Sequence, residues 1–432
     1  MTPPEAASGL GAGLIDELRW RGLFHSATPG LAARLADSRP VAGYIGFDPS
    51  GPSLHVGHLV PIFGLLHLQR HGGRPIALVG GGTGMIGDPS GTSAERNLLT
   101  REMVLSNTAA IRDQLERFLD FEGPTGALMA DNHDWLGSMR LLDFLRDVGK
   151  HFRVNTMLRK DAVSARLASD AGISYTEFSY QILQGMDYLE LYRRYGCRLQ
   201  TGGSDQWGNL TAGTDLIHRV TGDSVHLVAT PLITDAAGDK IGKSTGGGSV
   251  WLDPAMTSPY AFYQYFLNVE DALVPTLLRT LTFLDREEIV ALEKETAQQP
   301  AARAGQRRLA AEVTRTVHGE VETRAAVDAS QALFGRGSLA ELPAGALRAA
   351  LVEAGLTVVP GPAPTIAVLL KESGLVGGMN EARRAIAEGG AYVNNERVAD
   401  PAWVPPAEVL LHGRYLVLRR GRRTVAGVEL TS

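Results

Sequence analysis

Two histidines three residues apart, His55 and His58, frame the tetrapeptide His55-Val56-Gly57-His58. Residues at i and i+3 of a helix share a face, so both imidazoles can address one ligand. The tetrapeptide follows a Pro/Gly turn and is expected to open a helix, whose first amide groups favour an anion. Gly57 leaves room for a flat ligand near the backbone. That is chemistry for a polyphosphate, although the pair alone is also compatible with two surface histidines of no role. It lacks the four-residue spacing and the glutamate of a zinc-protease helix. A second constellation, Lys240-Ile241-Gly242-Lys243-Ser244, lies between two turn-forming stretches. Two lysines and a hydroxyl on a loop suit a clamp that closes on developing phosphate charge. A solvated surface loop would read the same way. The pattern is not GxxxxGK[ST], so it is no Walker A loop.

Particular elements must hold these groups. Val41 to Phe47 and Pro75 to Val79 are short apolar runs cut off by turn residues, and both read as buried strands. The stretch Leu54 to Arg70 between them has helical length, giving a βαβ unit and predicting a parallel sheet. The second strand runs into Gly82-Thr-Gly-Met-Ile-Gly87, a literal GxGxxG with Glu102 twenty residues on. That is the dinucleotide fingerprint of an NAD-dependent oxidoreductase on paper. The fingerprint should open a helix, however, and Asp88-Pro-Ser-Gly91 is turn chemistry. Thr100 to Leu119 has helical periodicity, and residues 255–335 read as mostly helical.

The chain has 432 residues, 44% of them hydrophobic and 21% charged, which suits two or three folded domains and excludes global disorder. With 42 Lys+Arg against 47 Asp+Glu, no general basic coat exists, so any nucleic-acid contact must be local. The single cysteine, Cys197, excludes an intramolecular disulfide and a Cys-rich zinc site. There is no apolar run long enough for a spanning helix, and the expected location is cytoplasmic. Residues 365–432 carry nine Lys/Arg and seven Asp/Glu, with Arg414, Arg419, Arg420, Arg422 and Arg423 close together. The proline- and glycine-rich stretch before them reads as a linker. Asn380 is expected to cap a helix ending at Gly389–Gly390, and the following AYVNNERV reads as a hairpin.

The histidine pair at a first strand–helix turn, followed by KxxKS about two hundred residues later, is the signature pair of class I aminoacyl-tRNA synthetases. Further segments narrow the match: Tyr44-Ile-Gly-Phe-Asp-Pro-Ser50, Ala77 to Gly91, Phe144 to Phe152, Phe178 to Asp187, and Gly202-Gly-Ser-Asp-Gln-Trp-Gly-Asn209. In this order they resemble the bacterial tyrosyl-tRNA synthetases almost end to end. The resemblance implies a Rossmann-like α/β catalytic domain over 1–235. It also implies the lysine loop with a helical, anticodon-side domain over 236–355, a linker over 356–364, and a small α+β RNA-binding domain over 365–432. The implied reaction is activation of L-tyrosine by ATP to tyrosyl-adenylate and pyrophosphate, then transfer of the tyrosyl group to the 3′ end of tRNA(Tyr). Positioning and electrostatics would supply most of the rate.

By the same resemblance, His55 and His58 hold ATP phosphates, and Lys240, Lys243 and Ser244 close over the leaving pyrophosphate. Tyr44 and Asp187 match the pair that hydrogen-bonds the substrate phenol. Asp88, Tyr180 and Gln184 match the group around its ammonium. Gly202, Asp205 and Gln206 match the ribose and adenylate loop, and Asp48 matches a further site carboxylate. Each also has a plain reading: Tyr44 as a core strand residue, Asp88 as a turn residue, and Tyr180, Gln184 and Asp187 as one face of any helix. A site that pairs a substrate hydroxyl rejects the analogue lacking it, a rule for which these synthetases are the standing example, so no editing domain is expected.

The tail resembles the small RNA-binding domain named after a ribosomal protein, with Arg383, Arg384, Arg419 and Arg420 implied to neutralise RNA phosphates. A homodimer is implied by the family alone. Magnesium is expected only as the counter-ion of ATP, with no dedicated protein site. The sequence departs from the family at Pro61, within the first turns of the helix that HVGH opens, where it removes a donor and is expected to bend the helix. Tryptophanyl-tRNA synthetase is the near alternative. Tyr44 and Asp187 favour the phenol.

Overall fold

The computed structural model describes residues 10–36, 40–89, 98–169, 172–234, 238, 241–242, 248–421 and 424–431. They divide into two compact units. One lies within residues 1–253 and 275–291, the other within 254–274 and 292–432.

The first unit is built on a six-stranded sheet of β1 (Ser26–Ala27), β2 (Ala42–Phe47), β3 (Arg74–Val79), β4 (Leu128–Asp131), β5 (Leu199–Gly203) and β6 (His226–Thr230), in the order β1-β6-β5-β2-β3-β4. All pairings except β1–β6 are parallel. Strands of such a sheet are covered on both faces, which explains why β3 is buried from Pro75 to Val79 and β6 along its whole length. The chain builds outward from β2 through β3 to β4, then returns to the other side of β2 with β5. That reversal makes the β2–β5 boundary, where Tyr44 pairs with Gln200, the crevice at which ligands bind in open α/β sheets.

The helices that carry site residues are well bounded. Tyr175–Tyr195 starts at Ser174, whose hydroxyl accepts from Glu177 N, and stops at Gly196 in the left-handed region at φ 64°. Glu177 itself turns to Arg166, with which it forms a buried ion pair at 2.8 Å. Arg101–Leu115 starts at Thr100, which accepts from Met103 N at 3.2 Å. The expected βαβ helix begins as a short 3₁₀ turn, Val56–His58, and continues as Leu59–Arg70. Pro61 does not interrupt it. Pro61 stands in the first turn of the α-helix, where the fixed φ of proline is tolerated. Among the described residues, the GxGxxG stretch forms a 3₁₀ turn, Thr83–Met85, and opens no α-helix.

The second unit contains the helices Pro259–Leu267, Ala304–Ala332 and Ala344–Glu353, together with a five-stranded sheet of β7 (Leu356–Pro360), β8 (Ala391–Val393), β9 (Glu396–Arg397), β10 (Tyr415–Arg420) and β11 (Thr424–Thr431). Its order is β7-β11-β10-β8-β9. Two expectations change here. The stretch 356–364, read as a linker, opens with β7, which pairs in parallel with β11 from Leu356 to Pro360. Proline at a strand end loses no ladder donor that the edge position requires. Asn380 is not a cap, because the helix Met379–Ala387 is entered through Gly378. The hairpin is present, with Asn394 and Asn395 at φ 47° and 70°, the two left-handed positions of a type I′ turn.

Candidate active site

The sheet crevice holds a cavity of about 210 Å³. Its lining includes Tyr44, Asp88, Tyr180, Gln184, Asp187 and Gln206, with Asp48 and Gly202 at its wall. One helical face delivers Tyr180, Gln184 and Asp187 at i, i+4 and i+7. A second cavity, of about 330 Å³, is lined by His58 and Ser50 and shares Gly46, Phe47, Asp48 and Asp88 with the first. The two are lobes of one cleft.

At the deep end of the first lobe, Tyr44 is 1% exposed, yet its hydroxyl has no hydrogen-bond partner. Burial, reinforced by the nearby Asp187, holds its pKa well above the ordinary value. Asp187 Oδ1 accepts from Trp135 Nε1 at 2.8 Å, and Oδ2 accepts from Asn132 Nδ2 at 3.0 Å. Burial pushes this carboxyl up to about 7, against the pull of those two donors. Asn132 donates also to Thr83 Oγ1 at 2.9 Å, and its Oδ1 accepts from Gly82 N at 2.7 Å and Thr83 N at 3.3 Å. All four hydrogen-bonding capacities of this buried amide are used.

The Thr83 hydroxyl donates in turn to Asp48 Oδ1 at 2.7 Å, while Tyr180 OH donates to Asp48 Oδ2 at 2.6 Å. Gly80 makes room for this pair, because a Cβ there would stand 2.1 Å from Asp48 Oδ1. Gln184 Oε1 is buried and unpartnered. Asp88, assigned by resemblance to the ammonium, and Gln206, assigned to the adenylate, are bonded to each other at 2.8 Å, and Asn209 joins both. Asp205 does not line either lobe. It lies exposed on the Ser204–Gln206 turn.

His55 and His58 lie with ring centroids 4.0 Å apart. His55 Nδ1 accepts from Gly57 N at 3.0 Å, and His58 Nδ1 accepts from His55 N at 3.1 Å. An accepting Nδ1 carries no proton, so each neutral ring holds its proton on Nε2 as a donor. Burial lowers the pKa of both, that of His58 to about 3. Lys240, Lys243 and Ser244 lie outside the described residues. Their loop's base does not: Val250 N donates to Gly242 O at 2.8 Å, and Val56 N to Val250 O at 2.9 Å. The loop is therefore anchored beside the histidine turn.

Among the arginines expected to meet RNA, Arg383 and Arg384 are exposed on the helix Met379–Ala387. Arg419 lies over the Tyr392 ring at 4.8 Å. Arg420 is engaged within the fold, pairing with Glu381 at 2.8 Å and donating to Leu375 O at 3.1 Å. A cavity of about 610 Å³ in the same unit gathers Arg303, Arg307, Arg336 and Arg419 with Tyr263 and Phe334. Sequence reading missed the first three, of which Arg303 precedes the helix Ala304–Ala332, Arg307 lies in its first turn and Arg336 lies in a bend beyond it, and it missed Thr83, Asn132 and Trp135. The only signal for the latter pair was the Asn-x-x-Trp that follows the strand β4.

A family model described as tRNA synthetases class I (W and Y) matches residues 36–335, and one described as the tyrosine–tRNA ligase SYY-like C-terminal domain matches residues 353–426. The chain is 56% identical over 421 residues to the tyrosine–tRNA ligase of Streptomyces coelicolor, covering 97% of this chain and 99% of that one. It is 55% identical to the tyrosine–tRNA ligase of Nocardia farcinica, covering 96% and 98%. A C-terminally truncated mitochondrial tyrosyl-tRNA synthetase from Aspergillus nidulans superposes with a TM-score of 0.66 at 29% identity, covering 72% of this chain and 92% of that one. The chain belongs to the class I aminoacyl-tRNA synthetases, among the tyrosine–tRNA ligases.

Proposed function

We propose that the two-lobed cleft carries out the tyrosine–tRNA ligase reaction as follows. L-Tyrosine occupies the smaller lobe, its phenol between Tyr44 and Asp187 and its ammonium among Asp88, Tyr180 and Gln184. The observation that carries this reading is the Tyr44 hydroxyl, buried without a partner in the same cavity as Asp187. A buried hydroxyl left unpaired costs about 1–3 kcal/mol, which a substrate phenol would restore. ATP enters beside it, with ribose and α-phosphate toward Gly202, Asp205 and Gln206 and with Asp48 on the shared wall.

The tyrosine carboxylate attacks the α-phosphorus, and the bond to pyrophosphate breaks. His55 and His58 offer neutral Nε2–H donors to the phosphates, placed before charge develops. Lys240, Lys243 and Ser244 are assigned to the clamp over the departing pyrophosphate. Mg²⁺ is taken to enter with ATP as its counter-ion. In the second step the terminal adenosine of tRNA(Tyr) receives the tyrosyl group.

The proposal assigns 1–235 to catalysis, 236–355 to the anticodon side of the tRNA and 365–432 to further RNA contact. The exposed Arg383 and Arg384 and the arginine-lined cavity support RNA contact. It further takes the active form as a homodimer in the cytoplasm. Leu141 and Leu142, at 70% and 77% exposure, are the kind of surface a second copy would cover. None of the described helices is long and apolar enough to cross a membrane.

ATP–pyrophosphate exchange with each amino acid in turn tests the reading. Tyrosine is expected to support exchange. Exchange with tryptophan and none with tyrosine would overturn the specificity.

A further inference from the structure

The larger lobe has two unlike walls. One carries His58 and Ser50, suited to phosphate. The other is Leu98 and Leu99, and Leu98 is 64% exposed. Leucines offer a phosphate no donors and cannot replace its hydration, whereas they form a good surface for the flat face of a base. These leucines stand directly before the helix Arg101–Leu115, which is fastened to the strand–turn segment of the site. Asn107 Nδ2 donates to Pro49 O at 3.1 Å, and Gln114 Oε1 accepts from Leu54 N at 2.9 Å. The apolar wall is thus held at a fixed distance from the histidine turn. The lobe also shares Asp48 and Asp88 with the tyrosine cavity, so whatever occupies it abuts the α-carbon end of the amino acid, which bears both ammonium and carboxylate.

The ligase reaction, on whose assignment to this cleft the inference rests, brings two polyanionic groups here in succession. We propose that the lobe is used twice: first by the triphosphate end of ATP against His58, and then, after pyrophosphate has left, by the terminal adenosine of the tRNA, whose base lies on Leu98 and Leu99. From there a ribose hydroxyl oxygen attacks the carbonyl carbon of tyrosyl-adenylate. The new ester C–O bond forms, the C–O bond to the phosphate breaks, and AMP leaves with the electron pair. The hydroxyl proton passes to a phosphate oxygen of the departing AMP. Leu98 and Leu99 act only in this second step, as residues that position the acceptor.

The test compares the unaltered protein with the double variant Leu98→Ser, Leu99→Ser. Tyrosine-dependent ATP–pyrophosphate exchange is measured first. Single-turnover transfer from preformed tyrosyl-adenylate follows, to tRNA(Tyr) ending in adenosine and to the same transcript ending in cytidine. Exchange is expected to stay within about twofold, while transfer to the adenosine-ended tRNA falls about tenfold, the scale of a lost apolar contact. The penalty for terminal cytidine should shrink in the variant, and Leu98→Met, Leu99→Met should restore transfer. Exchange and transfer falling in parallel, transfer unchanged, or an equal cytidine penalty in both proteins would each overturn the proposal. Lack of tyrosine-dependent exchange in the unaltered protein would instead remove the ligase reading beneath it.

Discussion

The indole N–H of Trp135 donates to Oδ1 of Asp187 at 2.8 Å, so the orientation of the carboxylate assigned to the substrate phenol is set by a residue that does not line the cavity. Trp135→Phe keeps the ring and deletes the donor. A hydrogen bond to a charged group contributes about 1.5–3 kcal/mol. Tyrosine binding should weaken by about tenfold or more, with a smaller effect on phenylalanine, read by tyrosine and phenylalanine titrations of the variant.

The carboxyl of Asp187 titrates at about 7 in the fold, against 3.8 for a free one. Between those values the folded chain keeps a proton that the unfolded chain has lost. This group's contribution to stability therefore declines as pH rises toward about 7 and is constant above it. A phenol that donates to the carboxylate favours the ionised form, so tyrosine affinity should rise with pH through about 7 and then level off. The profile should flatten in Asp187→Asn, which should also reject phenylalanine less well. A pH-independent tyrosine affinity in the unaltered protein would count against this placement.

Burial lowers the pKa of both histidine rings, His55 and His58, that of His58 to about 3, so the His58 ring does not gain charge over the range in which free histidine does. The exchange rate should then show no limb near pH 6.5 arising from His58. His58→Ala should slow exchange by about 10²–10³-fold, as loss of a preorganised donor does, while tyrosine affinity stays nearly unchanged. Equal loss in both would mean that the ring supports the tyrosine cavity instead.

At Gly57 a Cβ would stand 2.8 Å from His55 Cε1 and 3.0 Å from its Nδ1. Gly57→Ala must displace the imidazole or break the Gly57 N–H bond that fixes its tautomer. Exchange should fall by about tenfold or more, while thermal unfolding moves little, because the helix beyond the turn is untouched.

The basic tail separates into two kinds of arginine. Arg383 and Arg384 are exposed, and their replacement by Ala should weaken tRNA binding and reduce the slope of log K against log salt by about one each. Arg420 is tied to Glu381 and Leu375 O, so Arg420→Ala should lower the stability of the small domain more than it changes the salt slope. Filter binding across a salt series, paired with thermal unfolding, distinguishes the two.

The βαβ start, the histidine turn and the pocket face of Tyr180, Gln184 and Asp187 were legible because each is a local pattern: an apolar run, a turn, a helical spacing. Asn132 and Trp135 were not, because they follow β4, which lies three positions from β5 in the sheet, and no local window contains that arrangement. The pairing of Asp88 with Gln206 is likewise a contact across 118 residues. The linker reading failed because proline and glycine punctuate strand ends as readily as they punctuate connections. Arg420 looked like its exposed neighbours, since an arginine's partner cannot be inferred from its own surroundings in sequence.

Asn132 reaches both ends of the amino-acid site at once, holding Asp187 with one amide hydrogen and Thr83, hence Asp48 and Tyr180, with the other. Anyone refitting this enzyme to an unnatural side chain will find that the far wall cannot be remodelled by itself. Removing the carboxylate strands the amide and the indole, and the disturbance travels along the same rail to the groups assigned to the α-amine. New specificities should come from replacing residues 132, 135 and 187 as a set.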